Sequence, residues 1–205
     1  MNLPNKLTIL RILMIPLFVF FFFWYENPFG ITLALLTFLA AAATDLIDGK
    51  IARSRGLVTD FGKLMDPLAD KLLTTAAFCC LFANRIGMGV IISFILILSR
   101  EFLVTSVRLV AAGKGEVLAA DVWGKVKTVM QMSWISLELF GYALFGEIGH
   151  YLEERGYDYI TDGLHHWWAE AYFNFMNIFL YVMVAVTVLS GAHYIIKNRA
   201  LFKDT

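Results

Sequence analysis

Cysteine is almost missing from this chain. Only Cys79 and Cys80 occur among 205 residues, side by side in an apolar run. Adjacent cysteines pair with each other poorly and have no metal-ligand spacing, so neither a disulfide framework nor a thiolate metal centre is implied. Charge is scarce as well. Asp, Glu, Lys and Arg make up 17% of the residues, against about 25% in soluble domains. Net charge is absent, because 17 basic residues balance 17 acidic ones. No nucleic-acid partner is therefore expected. No internal repeat is visible, and the sole low-complexity tract is the run Phe20 to Phe23.

What the chain does have is apolar surface. Hydrophobic residues make up 59%, including 18 Phe. Disorder is excluded at that composition, and a soluble domain of this size has too little interior to hide it. The bilayer is the expected solvent. A membrane helix needs about 20 apolar residues, and the expected spans are 5–25, 29–53, 65–83, 86–110, 124–145 and 171–196. No small-residue cleavage site follows the first run, which is expected to be a retained helix. The expectation is one all-α transmembrane catalytic domain, 1–205, with six transmembrane helices.

Charge sidedness orients it. With the N-terminus in the cytoplasm, 15 of the 17 Lys and Arg fall on that side, leaving only Arg85 and Arg155 opposite. The positive-inside rule then predicts both termini in the cytoplasm. The stretch Gly146 to Glu170 is expected as an outer, non-membrane loop. Its His165, His166, Trp167 and Trp168 suit an interfacial belt.

Ionisable residues that interrupt apolar spans are costly and mark function. The second span ends in Asp45, Asp48, Gly49, Ala52 and Arg53. On a helix Asp45, Asp48, Gly49 and Ala52 share one face. Two carboxylates then line a stripe beside small residues, with space for a bulky group. The third span carries Asp66 and Asp70, again on one face. That helix begins either at Pro67, with Asp66 as its cap, or near Thr59 or Asp60 with Pro67 inside. Four carboxylates gathered near lipid repel one another, and all-oxygen ligands favour Mg²⁺, Mn²⁺ or Ca²⁺. Pairing with Lys50, Arg53, Lys63 and Lys71 is the plainer alternative.

The pattern Asp45-x2-Asp48-Gly49-x2-Ala52-Arg53-x8-Gly62-x3-Asp66-x3-Asp70 resembles, at every fixed position, the signature of the CDP-alcohol phosphatidyltransferases. Leu3 to Arg11, Ser99 to Phe102 with Arg108, and Gly124 to Thr128 resemble the branch that makes phosphatidylglycerol phosphate. The likeness covers roughly residues 1–135. It implies the CDP-alcohol phosphotransferase fold, a homodimer, and a bacterial inner-membrane enzyme of phospholipid biosynthesis whose site faces the cytoplasm. It also implies transfer of a phosphatidyl group from CDP-diacylglycerol to sn-glycerol 3-phosphate, with CMP leaving. Two Mg²⁺ or Mn²⁺ ions would sit on Asp45, Asp48, Asp66 and Asp70, and Asp70 would be the general base. Thr44, Gly49, Ala52 and Arg53 would hold the donor nucleotide, joined by Asn5, Thr8 and Arg11 from the first helix.

A phosphorylated acceptor needs a basic pocket of its own. Arg100 and Arg108 lie about 80° apart round a helix, so they can face one cavity, with Lys125 and Lys127 beside them. Arg offers paired contacts to phosphate and Lys a compact charge. Glu101 would orient Arg100. The plainer alternative is headgroup binding by a basic membrane face. Two rival functions stay open on sequence: the same chemistry on serine, inositol phosphate or phosphatidylglycerol, and a divalent-cation transporter.

Overall fold

The computed structural model describes residues 3–24, 27, 29–55, 60–83, 85, 87–114, 118, 121–147 and 163–199. Among these it contains six α-helices and no strand. They are α1 (Leu3–Phe22), α2 (Gly30–Arg55), α3 (Asp60–Ala83), α4 (Met88–Gly113), α5 (Val122–Gly141) and α6 (Gly163–Lys197). A π-helical segment, Tyr142–Glu147, extends α5.

Three of the helices contain stretches long and apolar enough to cross a membrane: Asn5–Phe22, Met88–Gly113 and Trp167–Lys197. Gly30–Thr44 of α2 is a shorter apolar stretch. In α3 the charges of Asp66, Asp70 and Lys71 interrupt the apolar pattern, and in α5 those of Lys125, Lys127 and Glu138 do so. The expected loop 146–170 is shorter than the sequence suggested. Helix extends through Glu147 and resumes at Gly163, because Leu164 to Phe173 contain no Pro or Gly to stop it. Helix α3 starts at Asp60, so Pro67 lies inside it, the second of the two alternatives. Trp167 and Trp168 are exposed, as a belt at an apolar–polar boundary requires.

The chain divides into two compact units, 1–84 with 135–173, and 85–134 with 174–205. In the first, α1 packs against α2 and α3. Phe18 and Phe22 of α1 are buried with Ala34, Phe38 and Ala41 of α2 and with Ala69, Leu73 and Ala77 of α3. The rings of Phe18 and Phe38 lie 6.0 Å apart. Small residues on the facing stripes let backbones approach, which replaces the hydrophobic drive that lipid cannot supply. Gly30 shows how close: a Cβ there would stand 2.8 Å from the carbonyl oxygen of Trp24 and 2.9 Å from that of Phe21.

Glu147, ending the π-helical segment, closes the start of α2. Its carboxylate accepts from the backbone N–H of Ile31, from the N–H of Thr32 at 3.0 Å and from the Thr32 hydroxyl at 2.8 Å. These N–H groups belong to the first turn and have no partner within the helix. A carboxylate there also meets the positive end of the helix dipole.

In the second unit Ser93, Ile97, Val104, Val107 and Ala111 form the buried stripe of α4. Val104, Val107 and Ala111 pack with Tyr194 of α6. The indole N–H of Trp134 donates to the carbonyl of Met176 at 3.0 Å. The outer surface of α4 exposes Ile91, Ile92, Ile95, Phe102 and Leu109, which suits a lipid surround.

The Glu147 cap makes a direct prediction. Glu147→Ala should destabilise the protein by about 1 to 2 kcal/mol, read as a lower melting temperature in detergent, with Glu147→Gln between the two. Superimposable melting curves would show that the cap carries no stability.

Candidate active site

The backbone runs as unbroken helix through both acidic pairs. Asp45 and Asp48 belong to α2, and Asp66 and Asp70 to α3. The spacings of three and four residues are therefore true helical spacings. The side-chain assignments made to Asp45, Asp48, Gly49, Ala52, Arg53 and Asp66 lie outside the described residues. Asp70 is described and is half-buried, next to the fully buried Ala69. Its carbonyl accepts a hydrogen bond from the Thr74 hydroxyl at 3.1 Å. Thr44 is also half-buried, and its hydroxyl donates to the carbonyl of Ala41 at 2.7 Å. The hydroxyl proton is thus spent on its own helix, and the oxygen is left to accept.

Helix α1 gives more than the sequence promised. Asn5, Thr8 and Arg11 fall three residues apart, and all are buried, Arg11 completely. A guanidinium keeps its charge in any protein setting. Burying one is costly without counter-charge and hydrogen bonds. The helices against which α1 packs are those that carry the four aspartates.

The second unit holds the basic residues. Glu101 of α4 is the hub, accepting from the Lys127 ammonium and from Arg100 Nη1 at 3.4 Å. Lys127 is buried to 4% exposure, which is rare for a lysine except when paired, as here beside a carboxylate. Lys125 is exposed. Two residues apart on a helix means opposite sides, so the two lysines could not both turn inward. Arg100 Nη2 donates to the Ser190 hydroxyl at 2.8 Å. Arg108, largely exposed, donates from Nε to the Tyr194 hydroxyl at 3.2 Å, with its Cζ 5.5 Å from the ring centroid.

A pocket of about 230 Å³ opens beside α4 and α6, with Arg100 and Ser99 in an otherwise apolar lining. Arg108 is not among its lining residues, so the two arginines do not share that cavity. What they share is α6. Its stripe Thr187, Ser190, Gly191 and Tyr194 is buried, at offsets of zero, three, four and seven. The sequence reading passed over these residues as part of an apolar helix. The signal that marks them is that helical spacing of small and hydroxyl side chains opposite a basic helix.

The sequence profile of the CDP-alcohol phosphatidyltransferase family matches residues 1–189. A Bacillus subtilis protein named CDP-diacylglycerol–glycerol-3-phosphate 3-phosphatidyltransferase is 38% identical over 215 residues, covering 100% of this chain and 98% of its own. A Rickettsia bellii protein of the same name is 40% identical over 140 residues, 68% of this chain and 76% of its own. A cardiolipin synthase (CMP-forming) from Oryza sativa is 35% identical over 151 residues, 68% of this chain and 46% of its own.

The chain belongs to the CDP-alcohol phosphatidyltransferase family. It is an enzyme, and the transporter alternative falls away. The family signature sits on α2 and α3, and the basic cluster sits on α4 and α5 with its seats on α6. Arg100, Lys127 and Arg108 against Glu101 leave that cluster net positive, which suits an anion.

Glu101 is the counter-charge for two cations in this phosphatidyltransferase, so removing it should be costly. With 19% of the side chain exposed, Glu101→Gln should destabilise by about 2 kcal/mol, below the roughly 3–5 seen when a fully buried pair is broken. Adding Lys127→Met should restore part of that loss, checked by denaturation of the two single variants and the double. Additive losses would show that the pair is not coupled.

Proposed function

We propose that this phosphatidyltransferase moves the phosphatidyl group of CDP-diacylglycerol to sn-glycerol 3-phosphate, giving phosphatidylglycerol phosphate and CMP. The observation that carries the proposal is the likeness, over the whole chain, to the Bacillus subtilis protein bearing that activity as its name. The basic cluster adds chemical support, since an acceptor with its own phosphate calls for cations apart from the carboxylates.

The acceptor hydroxyl attacks the phosphorus bonded to diacylglycerol, and the bond from that phosphorus to the CMP oxygen breaks. Asp70 takes the hydroxyl proton. A carboxylate within hydrogen-bond reach can do so as the new bond forms. Arg53 and Thr44 hold the nucleotide end of the donor, with Gly49 and Ala52 leaving room for it. Asn5, Thr8 and Arg11 support that site from α1. Arg100, with Lys127 and Arg108, holds the acceptor's phosphate. Lys125, being exposed, serves only as an outer attractor for anions.

Asp45, Asp48, Asp66 and Asp70 make an oxygen-only donor set that fits Mg²⁺ or Mn²⁺. They would hold two ions. Bound there, such ions supply positive charge to the pyrophosphate and to the leaving oxygen. We further propose six spans with both termini in the cytoplasm, supported by the distribution of Lys and Arg. The bacterial inner membrane, a cytoplasm-facing site and a homodimer rest on family resemblance.

The likeness to the Oryza sativa cardiolipin synthase favours one second reading, phosphatidylglycerol as acceptor. Purified protein in detergent should release CMP from CDP-diacylglycerol only when glycerol 3-phosphate and Mg²⁺ are both present, and a chelator should stop it. Release driven by phosphatidylglycerol would select the second reading. Asp70→Asn should lower kcat by about 10² or more, the usual worth of a positioned base. Arg100→Ala should raise KM for glycerol 3-phosphate by roughly 10- to 100-fold, the loss of a charge-assisted contact. Near-normal turnover by Asp70→Asn would remove it as the base.

A further inference from the structure

Helix α6 carries no Asp, Glu, Lys or Arg between Glu170 and Lys197, and its His193 lies 3.2 Å from Asp121, yet it fixes both arginines of α4. Arg100 and Arg108 lie two turns apart on α4, and Ser190 and Tyr194 lie one turn apart on α6. Ser190 is 3% exposed and Tyr194 3%. Each spends its hydroxyl oxygen on one guanidinium. Between them Gly191 leaves room for the stem of Arg100: a Cβ there would stand 2.8 Å from Arg100 Cγ.

The donors left over define what the pair can bind. A guanidinium has five N–H groups. Arg100 gives one from Nη2 to Ser190 and one from Nη1 to Glu101. Its Nε is buried and has no hydrogen-bond partner among the described residues. Arg108 gives Nε to Tyr194, and among the described residues no hydrogen bond is shown for its terminal nitrogens. A hydroxyl seat holds a guanidinium without neutralising it, whereas an acidic seat would cancel the charge that an anion needs. Serine and tyrosine on α6 therefore hold the arginines without adding negative charge to that already supplied by Glu101.

We propose that Ser190 and Tyr194, with the notch at Gly191, are positioning residues that set Arg100 and Arg108 for the acceptor's phosphate. This rests on the assignment of those arginines to the acceptor made above. It assigns α6, an apolar helix by sequence, to acceptor specificity.

The test is steady-state CMP release by the purified full-length protein, with glycerol 3-phosphate and CDP-diacylglycerol varied separately. Ser190→Ala should raise KM for glycerol 3-phosphate about fivefold, leave KM for CDP-diacylglycerol within about twofold, and be rescued by Ser190→Thr. Tyr194→Phe keeps the ring and should give a smaller rise in the same constant. It also supplies the answer if Ser190→Ala fails to fold. Gly191→Ala should raise the same KM by displacing Arg100. In an Arg100→Ala background, Ser190→Ala should add nothing further. If Arg100→Ala raises the acceptor KM but Ser190→Ala and Tyr194→Phe do not, the positioning role is overturned and the arginine assignment stands. An unchanged acceptor KM in Arg100→Ala overturns both. A lowered melting temperature with both KM values unmoved would make the stripe a packing feature and also overturn the proposal.

Discussion

A charge buried in a low-dielectric setting must be met by opposite charge or by hydrogen bonds. Most of what is informative in this protein follows from that constraint. Arg11 is fully buried, Lys127 is nearly so, and Arg100 is largely covered. A chain with so few charges has placed several of them inside. The apolar residues set where helices form, and the buried charges set which helix faces meet. Glu101 shows this well, because one carboxylate answers two cations from two helices.

The division of labour follows the chemistry. The proposed reaction brings a donor with concentrated negative charge and an acceptor that is itself an anion. Carboxylates that favour divalent ions would suit the first, and a net positive cluster the second. A single site of either kind would serve one substrate and repel or ignore the other. The signature on α2 and α3 is acidic and the cluster on α4 and α5 basic, which is what the proposed division would require. Hydroxyl groups, which hold a cation without discharging it, complete the basic side from α6.

The helices were legible in the sequence because membrane spans are written in long apolar runs. Their ends were less so. Helix α3 begins at Asp60, one of the two starts that its sequence offered, and α6 begins at Gly163, within residues that read as a polar loop. Local polarity says that a segment meets water, not that it stops being helical. The acidic pairs were legible since each combines two costly residues at helical spacing. The family profile over residues 1–189 bears out the resemblance drawn from them. Lys125 and Lys127 look equivalent in a list of basic residues, yet their spacing puts one outside and one inside. Ser190 and Tyr194 escaped notice because a hydroxyl in an apolar run is cheap, and only the facing helix shows its use.

The position of those hydroxyls along α6 has one more consequence. Counting about 1.5 Å per residue, this helix of 35 residues is roughly 52 Å long, more than the roughly 40–45 Å of a bilayer with its headgroups. Tyr194 and Ser190 lie three and seven residues before Lys197, hence about 5 and 10 Å in from that end. A hydrocarbon core of about 30 Å covers only part of such a length, so charges seated on hydroxyls this near the helix end need not enter it.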